Sequence, residues 1–372
     1  MGKQVKTPRF YVDMPTFLHA TGQLGWDDTR GGAELLYMNC SNPYLREVDS
    51  NSPITIGSNA NNNPKTSFPV NFCALLNHNF ASNTNDFKIS GKAGLSAGER
   101  EFKLNDSNIF EKNILNANSS GNLCNPQYNG TSIWTFNNVN GLDDYWRSFA
   151  VFFPSGIDTY THQLGSLVVG KYFDCPNSPD LNLTMSRRFD GIKSQKTIGG
   201  KTLSNIYYDG PTEWTMNGPN GTYKYPPFEL DLATIASTTD DTATDDINEI
   251  TNDFNQISKS GLGRKGLRSW KLTFSYIAES DMWMENEVSN TLISDGETDT
   301  TLNDPNPMLS DNSFNFVWNC TLGGTLPFIF QPDKDNSNPD QFAICTFREN
   351  TFSVDQVAPG TYSVEVTIDE LA

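Results

Sequence analysis

Leu267-Arg268-Ser269-Trp270-Lys271-Leu272-Thr273-Phe274-Ser275-Tyr276-Ile277 decides the fold class. Trp270, Leu272 and Phe274 fall on one side of an extended chain, and Lys271, Thr273 and Ser275 on the other. A period of two with one apolar side predicts a strand with one buried face. Three more segments complete this C-terminal region: 322–333, 341–348 and 362–370. In three of the four, apolar and polar residues largely alternate. Phe328, Phe330, Phe342 and Phe347 are the expected core of the unit. None of these stretches resembles a catalytic centre, so the region reads as a β-scaffold without chemistry.

Outward from there, strands are expected over 33–38, 52–57, 68–80, 87–90, 132–136, 145–153, 164–173, 181–187, 196–208 and 314–318. The pair Gly199-Gly200 marks a hairpin turn in the last but one. Near the start, 9–13 is extended, and Phe17, Leu18 and Ala20 make one helical turn that Gly22 stops. Short strands at this spacing, with no helical period between them, predict a β-sandwich or jelly roll. The expected fold is therefore mainly β, in two parts. Residues 1–163 form an N-terminal, jelly-roll-like β-sandwich with an extended arm. Residues 164–372 form a C-terminal β-rich sandwich or barrel unit. Polar insertions at 236–264 and 294–312 interrupt the second part. Within the first insertion Ile247, Ile250, Phe254 and Ile257 recur at helical spacing and predict a short amphipathic helix.

Composition narrows the function classes. A chain of 372 residues buries a core without staples and accommodates two or three domains. The aromatic fraction of 12% suits sheet packing. A net charge of -18 repels nucleic acid, so no nucleic-acid partner is expected. A mean hydropathy of -0.50 fits a large surface with polar loops, or apolar area kept for contacts between subunits. No apolar run approaches the length of a spanning helix, and Met1 to Lys6 does not read as a signal peptide, so no membrane insertion is expected. The six cysteines, Cys40, Cys73, Cys124, Cys175, Cys320 and Cys345, include no Cys-x-x-Cys pair. A zinc ribbon is not predicted, and buried free thiols are.

Each candidate for chemistry has a plainer explanation. Asp240, Asp241, Asp245, Asp246, Glu249 and Asp253 lack the spacing of a calcium loop and read as a solvated loop. Gly261-Leu262-Gly263-Arg264-Lys265-Gly266 matches a dinucleotide fingerprint in letters only, because a strand follows it where a helix is needed. Gly94-Leu95-Ser96-Ala97-Gly98 matches a nucleophile elbow, yet it lacks the buried strand and exit helix that expose such a serine. Only three histidines are present, His19, His78 and His162, so triads have few ways to arise. His78 reads as a hydrogen-bonded strand-end residue. A glycosidase needs only two carboxylates brought together by the fold, and among 44 acidic residues no pair stands out. Trp134, Trp146, Trp270 and Trp318 lie in strand-like segments and read as core. Trp26, Trp214 and Trp283 lie near turns and are the candidate glycan or partner contacts. No catalytic residue, metal ligand or cofactor is expected, and the chain is not expected to be an enzyme.

Several segments in order resemble tail-tip proteins of tailed bacteriophages. They are Leu164-Gly165-Ser166-Leu167-Val168-Val169-Gly170-Lys171-Tyr172-Phe173, then 176–181, then 193–201, then the Trp270 strand. The run Leu326-Pro327-Phe328-Ile329-Phe330-Gln331-Pro332-Asp333 with 342–347 and 366–370 is similar too, as is Phe72-Cys73-Ala74-Leu75-Leu76-Asn77-His78-Asn79-Phe80. The resemblance spans 70–370 as pattern and order. It implies a virion structural protein, a distal tail or other tail-tip (baseplate) component, made in the host cytoplasm and located in the virion tail. Such proteins form rings, often hexameric, by completing sheets between neighbours. Their partners are the tail tube and the hub or receptor-binding proteins. In the commonest distal tail arrangement the ring-forming domain comes first, whereas here it is expected second. The alternative reading is a glycan-binding module for receptor recognition or adhesion. A β-rich glycan hydrolase is a third.

Overall fold

A computed structural model describes residues 5–22, 35–38, 44–45, 54–56, 68–78, 88–92, 100–103, 110–115, 130–136, 145–146, 148–152, 163–189, 192–206, 266–284 and 313–371. The elements in the first half are β1 (Arg9–Asp13), α1 (Met14–Ala20), β2 (Tyr44–Leu45), β3 (Ile54–Ile56), β4 (Phe68–Pro69), β5 (Phe72–His78), β6 (Lys88–Lys92), β7 (Arg100–Lys103), β8 (Phe110–Leu115), β9 (Gly130–Phe136), β10 (Tyr145–Trp146) and β11 (Ser148–Phe152). Then come β12 (Gln163–Asp174), β13 (Thr184–Arg188), β14 (Ile192–Lys196), β15 (Thr202–Ile206), β16 (Leu267–Ala278), α2 (Glu279–Met282), α3 (Phe314–Cys320), β17 (Phe328–Gln331), β18 (Ala343–Phe347), β19 (Val354–Ala358) and β20 (Thr361–Glu370). The protein is mainly β, as its alternating segments require. Among the described residues no helix is long and apolar enough to cross a membrane.

One large antiparallel sheet organises the chain. Its strands run in the order β13-β16-β20-β18-β17-β1-β12-β5-β9-β8, with β19 beside β20 and β2 beside β12. The expected extended arm, 9–13, lies in the middle of this sheet as β1. Phe10 is in register with Phe173 on one side and Phe330 on the other. Strands from both sides of the 163/164 boundary are therefore direct hydrogen-bonded neighbours. A separate four-stranded sheet runs β3-β11-β6-β7.

The central strands bury both faces. Phe10, Val12, Leu167, Val169, Phe328, Phe330 and Phe347 pack on one face with α1 and α3. Tyr11, Phe72, Val168, Ile329, Phe342 and Ile344 pack on the other. All four expected phenylalanines are buried, with Phe342 on the face opposite the other three. The close approach of β1 to β12 depends on Gly170, opposite Asp13. A Cβ there would collide with the Val12 carbonyl oxygen and the Met14 side chain.

Two expected strands are not strands. Residues 314–318 belong to α3, whose third amide, Phe316 N–H, donates to the Ser313 hydroxyl at the N-cap at 3.3 Å. Phe314, Asn315, Phe316, Val317, Trp318 and Cys320 are all buried, so the helix has no polar stripe to reveal its period. Within 33–38, the described residues 35–38 form a turn, with Tyr37 and Met38 at φ 64 and 50. The helical turn before Gly22 is present as α1, and the hairpin at Gly199-Gly200 joins β14 to β15. Cys73, Cys175, Cys320 and Cys345 are buried free thiols, as expected.

Candidate interaction surface

Strand β13 at the end of the large sheet and the separate β14–β15 hairpin that follows it lie open to solvent over the described residues 184–189 and 194–204. Strand β13 pairs with β16, Thr184 opposite Lys271 and Arg188 opposite Leu267. All five of its residues are exposed. Of the clean alternation over 181–187, only 184–187 lies in the strand, and its apolar side is largely uncovered: Met185 is 43% exposed and Leu181, in the turn before β13, is fully exposed, while Leu183 packs part-buried against the core. Three residues past Phe189, which is 66% exposed, the chain enters the β14–β15 hairpin. Its turn is well tied. The Thr197 amide donates to the Lys201 carbonyl at 2.8 Å, the Gly200 amide donates to the Thr197 carbonyl at 2.8 Å, and the Lys201 amide donates to the Thr197 hydroxyl at 3.1 Å. Ile198 at the tip is fully exposed and Leu203 is 56% exposed. A rigid hairpin with uncovered aliphatic tips is a surface suited to contact.

The charge of this stretch departs from that of the chain. Residues 184–206 carry Arg187, Arg188, Lys193, Lys196 and Lys201 against a single acid, Asp190, in a protein of net charge -18. Carboxylates beside the same sheet end are already taken. Glu370 is bound to Arg268, and Asp369 holds Arg348 by two bonds of 2.8 and 2.7 Å. Among the described residues Arg187, Lys196 and Lys201 form no ion pair.

The opposite end of the β16–β20 ladder differs in both shape and charge. The register shifts between Phe274 and Ile277, and Tyr276 sits in this irregularity at φ 60 with its side chain 75% exposed. A tyrosine in the left-handed region is strained, and such residues cluster at functional positions. The preceding Ser275 hydroxyl donates to Asp180 at 2.7 Å, and the Asp180 amide donates to the Thr273 carbonyl at 2.8 Å. The turn between β19 and β20 is joined to α2 by the Glu279 amide donating to the Gly360 carbonyl at 3.1 Å. Here the exposed charges are Glu279 and Asp355, and neither meets a basic side chain among the described residues.

Trp283 lies at this end. It is half-buried, with edge-on contacts to Phe352 at 5.8 Å and Tyr362 at 5.9 Å, so its ring is engaged within the chain. Trp26 and Trp214 lie outside the described residues. So do the acidic loop 240–253, the motif 94–98, residues 261–265, the helix expected over 247–257, the insertion 294–312, His162, Cys40 and Cys124. Trp134, Trp270 and Trp318 are buried, as expected. His78 ends β5, opposite Leu164 and Gly130.

The described interior contains one polar cluster with chemical potential. Asp13 stands before α1 and accepts the Thr16 hydroxyl at 2.5 Å, while Thr16 accepts the Tyr37 amide at 3.1 Å. Burial pushes the Asp13 carboxyl up to about 7. The Thr16 hydroxyl and the amides of Val169 and Thr16 favour its charged form, yet Oδ1 closes no hydrogen bond. Burial, reinforced by Asp13, also raises the Cys73 thiol far above the range in which it is a nucleophile. His19, farther along α1, shares a 3.0 Å hydrogen bond with the Tyr37 hydroxyl. Packing a helix start against β12 is what this cluster does. Among the described residues no three His, Cys, Asp or Glu side chains are gathered to hold a metal ion.

No family model, no curated protein and no solved structure matches this chain. Sequence reasoning overlooked three features of the surface and its frame. The basic island at 184–206 was signalled by five cations in an acidic chain. Asp13 was signalled by an acid lying between Val12 and Met14 just before a helix-starting Pro15. The Arg268–Glu370 pair had no local signal, because its members lie 102 residues apart.

Proposed function

We propose that this protein is a structural component of a bacteriophage virion, a distal tail or tail-tip protein that assembles as a ring and joins the tail tube to the hub or receptor-binding apparatus. The observation that carries the reading is the exposed strand β13 with the hairpin that follows it. The five residues of β13 are exposed, Leu181 and Phe189 on either side of the strand are uncovered, and the tied hairpin exposes Ile198 and Leu203. Monomeric proteins blunt such edges, whereas subunits of an assembly cover them with a neighbour. The frame behind the surface supports the same role: a sheet packed on both faces, with its thiols buried and the Arg268–Glu370 pair closing its C-terminal part. The resemblance of 70–370 to tail-tip proteins in segment order points the same way.

Mass spectrometry of purified virions tests the reading. The chain is expected among the virion proteins in multiple copies, cross-linked to itself and to tail proteins. Its absence from purified particles would remove the proposal.

A further inference from the structure

We propose that the assembly contact is electrostatic and head-to-tail, with the basic hairpin of one copy seated on the acidic Tyr276 end of the next copy. This deepens the assembly reading above and rests on it. The two surfaces belong to one ladder and lie at its opposite ends. Arg187, Arg188 and the hairpin with Lys196 and Lys201 leave the sheet beside Leu267, where β16 begins and β20 ends. Glu279, Asp355 and the exposed Tyr276 sit where β16 ends and β20 begins. Twelve strand residues separate the ends, roughly 35 Å.

The occupant follows from charge. Lys196 and Lys201 are exposed and unpaired among the described residues, and Glu279 and Asp355 are the same with opposite sign. The pairing is satisfied between copies and not within one, because the ladder holds the groups apart. Apolar side chains accompany both surfaces, Ile198 and Leu203 on the hairpin and Tyr276 with Val357, 50% exposed, on the acidic end. Contact between two hairpins would instead set like charges together. With the ladders of successive copies running in one direction, each copy offers one hairpin and one acidic end. That heterologous arrangement gives a ring when the rotation between successive copies closes, and the assembly reading above requires that it does.

The test uses the full-length chain in sedimentation velocity and light scattering, at low salt and at ~0.5 M salt, where surface charges are screened. The variants are Lys196→Glu/Lys201→Glu, Glu279→Lys/Asp355→Lys, and all four changes together. Each pair alone is expected to weaken low-salt self-association by about tenfold or more, and the fourfold variant is expected to regain most of it. The four residues are exposed, so circular dichroism and melting are expected to match wild type. Lys196→Gln/Lys201→Gln, a milder change, is expected to fall between wild type and reversal. Assembly that ignores the hairpin reversal, or a fourfold variant that fails to recover, overturns the inference. So does a closed dimer as the final species, or hairpin-dependent retention of DNA in place of self-association. The inference and the tail reading fail separately. A chain present in virions whose oligomers ignore these variants removes only the inference, and a chain that assembles as described but is absent from virions removes only the tail reading.

Discussion

Arg268, the second residue of β16, and Glu370, the last of β20, form a buried ion pair that closes the C-terminal part of the sheet. The Arg268 Nη2 donates to Glu370 Oε1 at 2.9 Å, and its Nε and backbone amide donate to Oε2 at 3.1 and 2.8 Å. The guanidinium also donates to the carbonyls of Asp340 and Phe342 at 2.6 and 2.7 Å, and it lies 4.8 Å from the centre of the Trp270 ring. All three guanidinium nitrogens donate, so the pair meets the condition under which a buried charge is tolerated. It locks together the end of the sheet from which the basic hairpin departs.

Removing one partner leaves the other buried and unpaired. Glu370→Ala is expected to cost ~3–5 kcal/mol in urea unfolding. Arg268→Met with Glu370→Leu is expected to lose much less than either single truncation, because no buried charge remains. A double variant as unstable as Glu370→Ala would show that the pair supplies attraction beyond satisfying its own burial.

Asp13 gives the protein a pH dependence of unusual sign. Its folded-state value of about 7 lies above the 3.8 of an ordinary aspartate. The folded protein therefore holds a proton that the unfolded chain releases between those values. This contribution to stability is present below pH 4, falls as pH rises through 4 to 7, and is absent above. Asp13→Asn keeps an acceptor for Thr16 and removes the charge. It is expected to flatten that part of the profile and to raise stability at pH 8 by ~2–4 kcal/mol. Thermal melts from pH 4 to pH 8 measure both effects.

Core and contact phenylalanines and aliphatics are expected to separate cleanly. Phe330 packs on Phe10 and Trp270 at 5.2 and 5.1 Å, and Phe330→Ala is expected to cost ~3–5 kcal/mol. Ile198→Ser, at an exposed tip, is expected to change stability by less than ~0.5 kcal/mol while weakening self-association. Denaturant unfolding read beside light scattering distinguishes the two.

Glycine at two close approaches is a third check on the packing. Gly170→Ala drives a Cβ into the Val12 backbone, and Gly324→Ala places one 2.6 Å from the Phe347 Cβ at a residue whose φ is 84. Each is expected to lower stability by ~1–3 kcal/mol. An Ala at either position with a wild-type melt would show that β1, or the turn after α3, sits farther from its neighbour.

The strands that alternate over a buried face, β16 and β20, were legible because period two is a local property. So were the hairpin at Gly199-Gly200 and the buried tryptophans at 134 and 270. The helix α3 was not, since burial on all sides leaves no amphipathic stripe; only Ser313 before it and Gly323-Gly324 after it mark its ends. The central place of β1 was hidden for another reason. Tyr11 donates to Gln331 at 2.8 Å across 320 residues, and no local pattern encodes such a pairing. The alternation over 181–187 misled in the opposite sense. It reports a strand, but whether a face is covered depends on what lies across from it, and a strand kept for a neighbour looks the same as one kept for the core.

Labelling the chain in intact particles tests the central claim most directly. Gold-tagged antibody or a fused density marker viewed by electron microscopy should place it at the distal end of the tail, in several copies arranged around the tail axis. A marker on the capsid, or particles that carry none, would contradict it.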